Sequence, residues 1–342
     1  MSKNSIAVYV HYPYCVAKCR YCAFASKACE PKDLTSQYLS ELKSYSDVLA
    51  GRKVSSVYFG GGTPSLMPVR SVAAVLDFLR PSGEVTLEAN PATIDLAKMR
   101  ALRAAGVNRL SIGVQSLNDK ELEFLGRVHT ARQALDTLDA ARAVFENVNA
   151  DFIYGLPGQS VADWAGALAR IVELDLPHYS LYQLTHEKGT PIGRVKPMDE
   201  EVAAKMFLLA PKVLRQYEVS NFAGRGFEGQ HNLNYWRGGE YLGIGPFAAG
   251  RIKIEGQWYE TFNGSRRRLT NESRAREMVI SGLRMNMGID FALFECNSGV
   301  DFWRVVNRTM AGEFLKISLR GARVYARFRL VLDSVIRAIV EA

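Results

Sequence analysis

Three cysteines near the start of the chain have a spacing that suits metal or cluster chemistry. Cys15, Cys19 and Cys22 fall within eight positions, and the whole sequence contains five cysteines. Five thiols cannot all pair, so this spacing indicates metal or cluster ligands rather than disulfides. Three thiolates can hold three irons of a [4Fe–4S] cluster and leave the fourth iron open for a small chelating ligand.

Zinc is the alternative occupant of these thiols. A structural zinc site normally takes four protein ligands. His11 is the nearest candidate for a fourth ligand, but it lies in the strand-like run that leads to the loop. We interpret Cys29 as a free thiol and Cys296 as a packing residue.

The elements that must position the cysteines alternate regularly up to about residue 220. Short runs rich in β-branched and aromatic residues predict strands over 6–10, 54–59, 84–88, 109–114, 148–154 and 179–184. Segments of helical period lie between them, over 35–49, 69–79, 94–105, 130–145 and 161–174. Six β-then-α units predict an α/β fold, a partial (βα)6 TIM-like barrel of parallel strands joined by crossover helices.

Unusual polar and glycine residues stand where the predicted strands end. They are residues 60–64, Glu88, Gln115 and residues 151–157. The carboxyl ends of the strands carry the reactive groups in barrels of this kind. We therefore expect these residues to line one site together with the loop that begins at Cys15 and carries Cys19 and Cys22, here called the cysteine loop.

The pattern changes near residue 225. We predict a core domain over 1–225 and a smaller C-terminal α+β domain over 226–342. Strands are predicted over 251–254 and 258–262, and further helices over 199–216, 272–283 and 324–339.

The charge of the chain is uneven. Lys and Arg number 43 against 35 Asp and Glu, a formal net charge of +8. Residues 226–342 hold 17 of the basic and 12 of the acidic residues, and 15 of those basic residues are Arg. Arg side chains suit carboxylates and phosphates, although a solvated basic face that serves solubility alone is the simpler interpretation.

The cysteine loop also carries a family resemblance. The pattern Cys-x3-Cys-x2-Cys after a strand, with the aromatic Phe24 two residues later, resembles the radical S-adenosylmethionine (SAM) superfamily. Residues 58–64, Tyr-Phe-Gly-Gly-Gly-Thr-Pro, look like its glycine segment, which meets the amino group of SAM. In that superfamily an electron from the cluster breaks SAM to give a radical, and the protein orients the cofactor.

Further motifs narrow the resemblance to the oxygen-independent coproporphyrinogen III oxidase-like family. They lie at residues 88–91, 113–116, 125–129, 151–159, 217–222 and 231–236. Two features point to the haem chaperone branch of this family. Phe24 stands where the decarboxylase branch has a further cysteine, and residues 231–236 read His-Asn-Leu-Asn-Tyr-Trp.

The resemblance implies a set of site residues. Cys15, Cys19 and Cys22 would bind the [4Fe–4S] cluster. The positions that match SAM contacts are Tyr9, Gly61, Gly62, Thr63, Glu88, Gln115, Arg127 and Asp151. The positions that match a haem site are His231, Tyr235 and Trp236. Met285, Met287 and Cys296 are alternative soft ligands, and no residue is assigned a catalytic role.

The function that the resemblance implies is that of a haem chaperone, which binds haem, the cluster and SAM and transfers haem to an acceptor protein. The alternative is an oxygen-independent coproporphyrinogen III oxidase or another SAM-radical enzyme that acts on a tetrapyrrole. We expect an electron donor and no nucleic acid as partner. We also expect a cytoplasmic location, since no apolar run approaches the roughly 18 residues of a membrane span. Contact with an anionic membrane surface and dimer formation stay open.

Overall fold

The computed structural model describes residues 4–340. The strands in this part of the chain are β1 (Ser5–Tyr12), β2 (Tyr14–Cys15), β3 (Lys27–Ala28), β4 (Lys53–Gly61), β5 (Glu84–Ala89), β6 (Arg109–Gln115), β7 (Asn147–Tyr154), β8 (His178–Gln183), β9 (Asn221–Ala223), β10 (Tyr241–Ile244), β11 (Ala249–Ile254), β12 (Gln257–Phe262), β13 (Ser265–Arg268), β14 (Ile289–Asp290), β15 (Leu315–Ile317) and β16 (Gly321–Val324). The α-helices are α1 (Thr35–Ser44), α2 (Ser46–Leu49), α3 (Val69–Leu79), α4 (Leu96–Ala104), α5 (Asp119–Leu125), α6 (Ala131–Arg142), α7 (Val161–Glu173), α8 (Glu200–Phe207), α9 (Gln230–Trp236), α10 (Asn271–Gly282), α11 (Phe291–Ser298), α12 (Arg308–Phe314) and α13 (Leu332–Val340).

Six parallel strands form the centre of the main sheet, in the order β1, β4, β5, β6, β7 and β8. Every neighbouring pair among them is parallel, and helices form the connections between them. This arrangement confirms the predicted α/β fold with a partial (βα)6 barrel.

The central strands are apolar because helices cover one face of the sheet and the barrel interior covers the other. In β6, six of the seven residues are buried, and in α3 the residues Val72, Val75 and Leu76 pack against the sheet. Helix α7 begins at a capping box, in which Ser160 and Asp163 bond each other's backbone N–H groups. The predicted crossover segments thus have both an apolar face and defined ends.

The sheet continues beyond the six central strands. On one side β10 pairs parallel with β1, followed by antiparallel β11, β12 and β13, and on the other side β9 pairs antiparallel with β8. The main hydrophobic cluster includes Ile252, while a second cluster begins at Ala275 and includes residues of α10 to α13. The division between residues 225 and 226 stays a prediction.

The largest differences between predicted and observed helices lie in two segments. The segment 199–216 forms only α8 and a 3₁₀ turn, because Pro211 has no N–H and its ring would clash with the carbonyl of Phe207. The segment 324–339 is helical only in α13, since Val324 belongs to β16 and residues 326–331 form a 3₁₀ helix. Among residues 4–340, no helix is both long and apolar enough to cross a membrane.

Candidate cofactor site

A cavity of about 380 Å³ lies at the carboxyl ends of the central strands. Ten of the predicted residues line it: Cys15, Cys19, Cys22, Gly61, Gly62, Thr63, Glu88, Gln115, Arg127 and Asp151. The fold therefore brings the cysteine loop and the strand ends together, as the parallel topology requires. The side chain of Phe24, which is 70% exposed, also lines this cavity.

Hydrogen bonds hold the cysteine loop in shape. The ammonium group of Lys18 donates to the carbonyl oxygens of Phe24 and Ser26 at 2.7 and 3.2 Å. The backbone of Arg20 donates to Leu125 O and accepts from Ile192 N, which ties the loop to two other segments. The loop is thus held both by its own hydrogen bonds and by hydrogen bonds to neighbouring segments.

The donor set of the loop fits an iron–sulfur cluster. Cys15 is buried, Cys19 and Cys22 are half-buried, and Cys29 is exposed. Within residues 4–340, no three His, Cys, Asp or Glu side chains are placed to hold a single metal ion. A [4Fe–4S] cluster has a different requirement, because each thiolate binds its own iron. Three thiols on one cavity wall meet that requirement, and their role as ligands stays a prediction.

The glycine segment approaches the cysteine loop more closely than a side chain would allow. A Cβ atom on Gly62 would lie 2.7 Å from the carbonyl oxygen of Tyr14 and 3.0 Å from Sγ of Cys15. Gly61 has a φ of +118°, a conformation that favours glycine. Residues 61 and 62 therefore need to be glycine for the backbone to reach the cavity beside Cys15.

Glu88 is the acidic centre of a small hydrogen-bond network. Its carboxylate accepts from the hydroxyl of Tyr58 at 2.8 Å and from the backbone N–H of Gly61 at 3.2 Å. Burial is the main reason why the pKa of Glu88 is raised to about 7, and the charge of Asp151 adds to this effect. The two hydrogen bonds lower the pKa but do not cancel the rise. Tyr58 was not among the predicted site residues, although it is the first residue of the glycine segment 58–64.

At the cavity, Arg127 has a hydrogen-bond donor without a partner and Gln115 has an unusual backbone conformation. The guanidinium of Arg127 donates to Gly113 O at 2.7 Å and to Sγ of Cys19 at 3.4 Å, while its buried Nε has no hydrogen-bond partner among the described residues. Gln115 has a φ of +68°, which is uncommon outside glycine and clusters at functional sites. A carboxylate such as that of SAM would satisfy the free donor of Arg127.

Asp151 and Tyr9 differ in their access to the cavity. Asp151 lines it and accepts from Asn149 Nδ2 at 2.8 Å and from Ser111 Oγ at 3.3 Å, and burial raises its pKa. Tyr9 does not line it. The hydroxyl of Tyr9 lies 2.9 Å from Nδ1 of His11, whose Nε2 lies 2.9 Å from the carbonyl of Ala25 in the cysteine loop. Tyr9 thus contacts the loop through His11.

His231 is buried and Tyr235 is half-buried, and neither lines the cavity. His231 is 1% exposed, and its two ring nitrogens lie 2.8 Å from Ser56 Oγ and 2.7 Å from the hydroxyl of Tyr235. Burial lowers the pKa of His231 to about 3, so the ring is neutral. Its ring packs on that of Tyr58, with 5.2 Å between centroids. His231 therefore packs against Tyr58 in the interior. That it binds haem iron stays a prediction.

Trp236 belongs to a different cavity, which is lined by residues of the C-terminal part of the chain. Of the three positions that match a haem site, His231 and Tyr235 thus contact each other, while Trp236 lines another cavity. Helix α9 therefore contacts Tyr58 through His231 near its start and lines the second cavity through Trp236 at its end.

Comparison with known proteins defines the class of this fold and site. Residues 9–171 match the radical SAM superfamily, and residues 269–323 match the HemN C-terminal domain. Among solved structures, coproporphyrinogen III oxidase (HemN) from Escherichia coli aligns with a TM-score of 0.77 over 98% of this chain and 90% of that chain. Its sequence identity is 22%, so this likeness shows the fold alone.

Curated relatives give the family. Radical S-adenosyl methionine domain-containing protein 1, mitochondrial, of Danio rerio is 36% identical over 384 aligned residues, which cover 98% of this chain and 86% of that protein. Heme chaperone HemW of Escherichia coli K12 is 38% identical over 72% of this chain and 70% of its own length. The chain belongs to the radical SAM superfamily and, within it, to the oxygen-independent coproporphyrinogen III oxidase-like family, in which it resembles the HemW branch.

Proposed function

We propose that the protein is a haem chaperone that binds a [4Fe–4S] cluster, SAM and haem, and that transfers haem to an acceptor protein. The observation that carries this proposal is the cavity in which three thiols meet the polar groups of four strand ends. Relatives named heme chaperone HemW, at 35–38% identity in three bacteria, support the haem part of the proposal.

The residues of the cavity have separate roles in the proposed binding of cofactors. Cys15, Cys19 and Cys22 would hold the cluster, which supplies an electron to SAM when both are bound. The free Nε of Arg127 suits the SAM carboxylate, and Glu88, once ionised, suits its ammonium group.

The other predicted residues shape the same cavity. Gly61, Gly62 and Thr63 form the wall beside Cys15, and Gln115 and Asp151 offer acceptors for ribose hydroxyls.

An enzyme that oxidises coproporphyrinogen III is the alternative, and an anaerobic assay with SAM, a reductant and coproporphyrinogen III separates the two. We expect no vinyl product, because Phe24 and the motif at residues 231–236 are the features that mark the haem chaperone branch rather than the decarboxylase branch. Vinyl products at multiple turnover would contradict the chaperone proposal.

Transfer of haem is tested with apomyoglobin as the accepting probe. Haem-loaded protein should convert apomyoglobin to its haem form, and the protein should then bind fresh haem again. Haem that stays on the protein in the presence of excess apomyoglobin would contradict a carrier role. We propose a cytoplasmic location and an electron donor as partner, while the relative from D. rerio is named as mitochondrial.

A further inference from the structure

A second cavity, of about 610 Å³, lies between α9, α10, α11 and the small sheet of β14, β15 and β16. It shares no lining residue with the cysteine cavity. Its volume lies in the range of about 300–1,000 Å³ that is usual for sites of small molecules and cofactors. The size of the cavity thus allows a ligand as large as a tetrapyrrole.

Four cations line this cavity without a carboxylate partner. Arg237, Lys316, Arg320 and Arg323 form no ion pair within residues 4–340, whereas eleven other pairs of charged side chains do so in the same part of the chain. The one carboxylate among the lining residues is Asp290, which caps α11 by accepting from Leu293 N. The cavity therefore has an excess of positive charge that suits a ligand with at least two negative groups.

The remaining wall of the cavity is apolar. Two of its residues, Trp236 and Met287, have polar atoms with no hydrogen bond or only a long one. Trp236 lines the cavity, and its indole N–H has no acceptor among the described residues. Met287 is 66% exposed, and its sulfur lies 3.7 Å from a guanidinium nitrogen of Arg237. Met285, Ile289 and Phe294 complete a buried apolar surface.

We propose that this cavity, and not the surroundings of His231, is the haem site of the protein. The proposal rests on the proposed haem function and names the place at which that function occurs. The apolar wall with Trp236 packs on the macrocycle, and Arg320 and Arg323 pair with the two propionates. The thioether of Met287 is the soft ligand for the haem iron.

Haem titration of the full-length protein, followed by Soret absorbance, tests this site. In the double variant Arg320→Gln/Arg323→Gln, we expect the Kd for haem to rise about tenfold, on the scale of two partly exposed ion pairs. The matched control Arg266→Gln/Arg268→Gln removes the same charge from the exposed strand β13, and it should keep the wild-type Kd.

The iron ligand has its own variant and control. Met287→Leu removes the sulfur at similar volume, so we expect a shifted Soret maximum, whereas Met310→Leu on α12 should leave the spectrum unchanged. Circular dichroism establishes that each variant is folded.

The outcomes separate this inference from the proposed function. If the wild type shows no saturable Soret band, the haem function itself is wrong. If the wild type binds haem, the cavity variants match it and His231→Ala loses binding, the proposed function holds and the site inferred here is wrong. Weakened binding in the arginine variant together with a changed spectrum in Met287→Leu supports the inference.

Discussion

Glu88 should make the stability of the cluster-free protein depend on pH in a specific direction. Its pKa is about 7 in the folded protein, against 4.5 for an ordinary glutamic acid, chiefly because of burial and of Asp151 nearby. Between these two values the folded protein holds a proton that the unfolded chain has released. The free energy of unfolding should therefore decrease as the pH rises from 4.5 to 7, and a lower pH should restore it.

The size of this effect follows from the two pKa values. One pKa unit corresponds to about 1.4 kcal/mol, so the rise from 4.5 to about 7 amounts to about 3 kcal/mol at most. Glu88→Gln has no proton to lose and should lack this contribution. Asp151 is also buried with a raised pKa, so part of the pH dependence should persist in the variant.

Urea denaturation at a series of pH values between 4.5 and 8 measures the effect on reduced, cluster-free protein. The quantity to compare is the change of the unfolding free energy with pH, because any cost of Gln at the hydrogen bond from Gly61 is independent of pH and cancels. Glu313→Gln, at an exposed position on α12, is the matched control and should behave as the wild type. If the unfolding free energy of Glu88→Gln changed with pH as much as that of the wild type, Glu88 would not have a raised pKa in the folded protein.

Three further predictions concern the same cavity. Cys19→Ser should abolish the brown iron–sulfur absorbance of anaerobically reconstituted protein, and a variant that kept a full cluster would contradict the ligand assignment. Gly62→Ala should cost roughly 1–3 kcal/mol in urea denaturation, because its Cβ would lie 2.7 Å from Tyr14 O; Gly166→Ala, in an open position on α7, should instead stabilise by up to about 1 kcal/mol. Arg127→Lys should weaken SAM binding about tenfold in calorimetry, since Lys lacks the free Nε donor, and unchanged affinity would contradict that role.

The central barrel could be predicted because its signals are local. Each strand from β1 to β8 in the main sheet is a short apolar run, and each crossover helix carries its own period and often its own cap. The same logic located the cofactor cavity, since the ends of parallel strands meet at one edge.

The parts that escaped prediction depend on contacts between distant segments. β10 is four residues long and contains Gly243, and it becomes a strand by pairing with β1 on one side and with β11 on the other. The buried His231 contacts Ser56, which lies 175 positions away in the sequence, and such a contact leaves no local signal. The basic cavity is likewise assembled from residues 236–323, so its charges looked like a general surplus in the sequence.

The most direct test of the account is a haem titration of anaerobically reconstituted wild-type protein, monitored by visible absorbance. The account predicts the broad iron–sulfur absorbance of the cluster together with a Soret band that grows with added haem and saturates at one haem per chain. A protein that forms the cluster but shows only the spectrum of free haem would contradict the proposal that this chain is a haem chaperone.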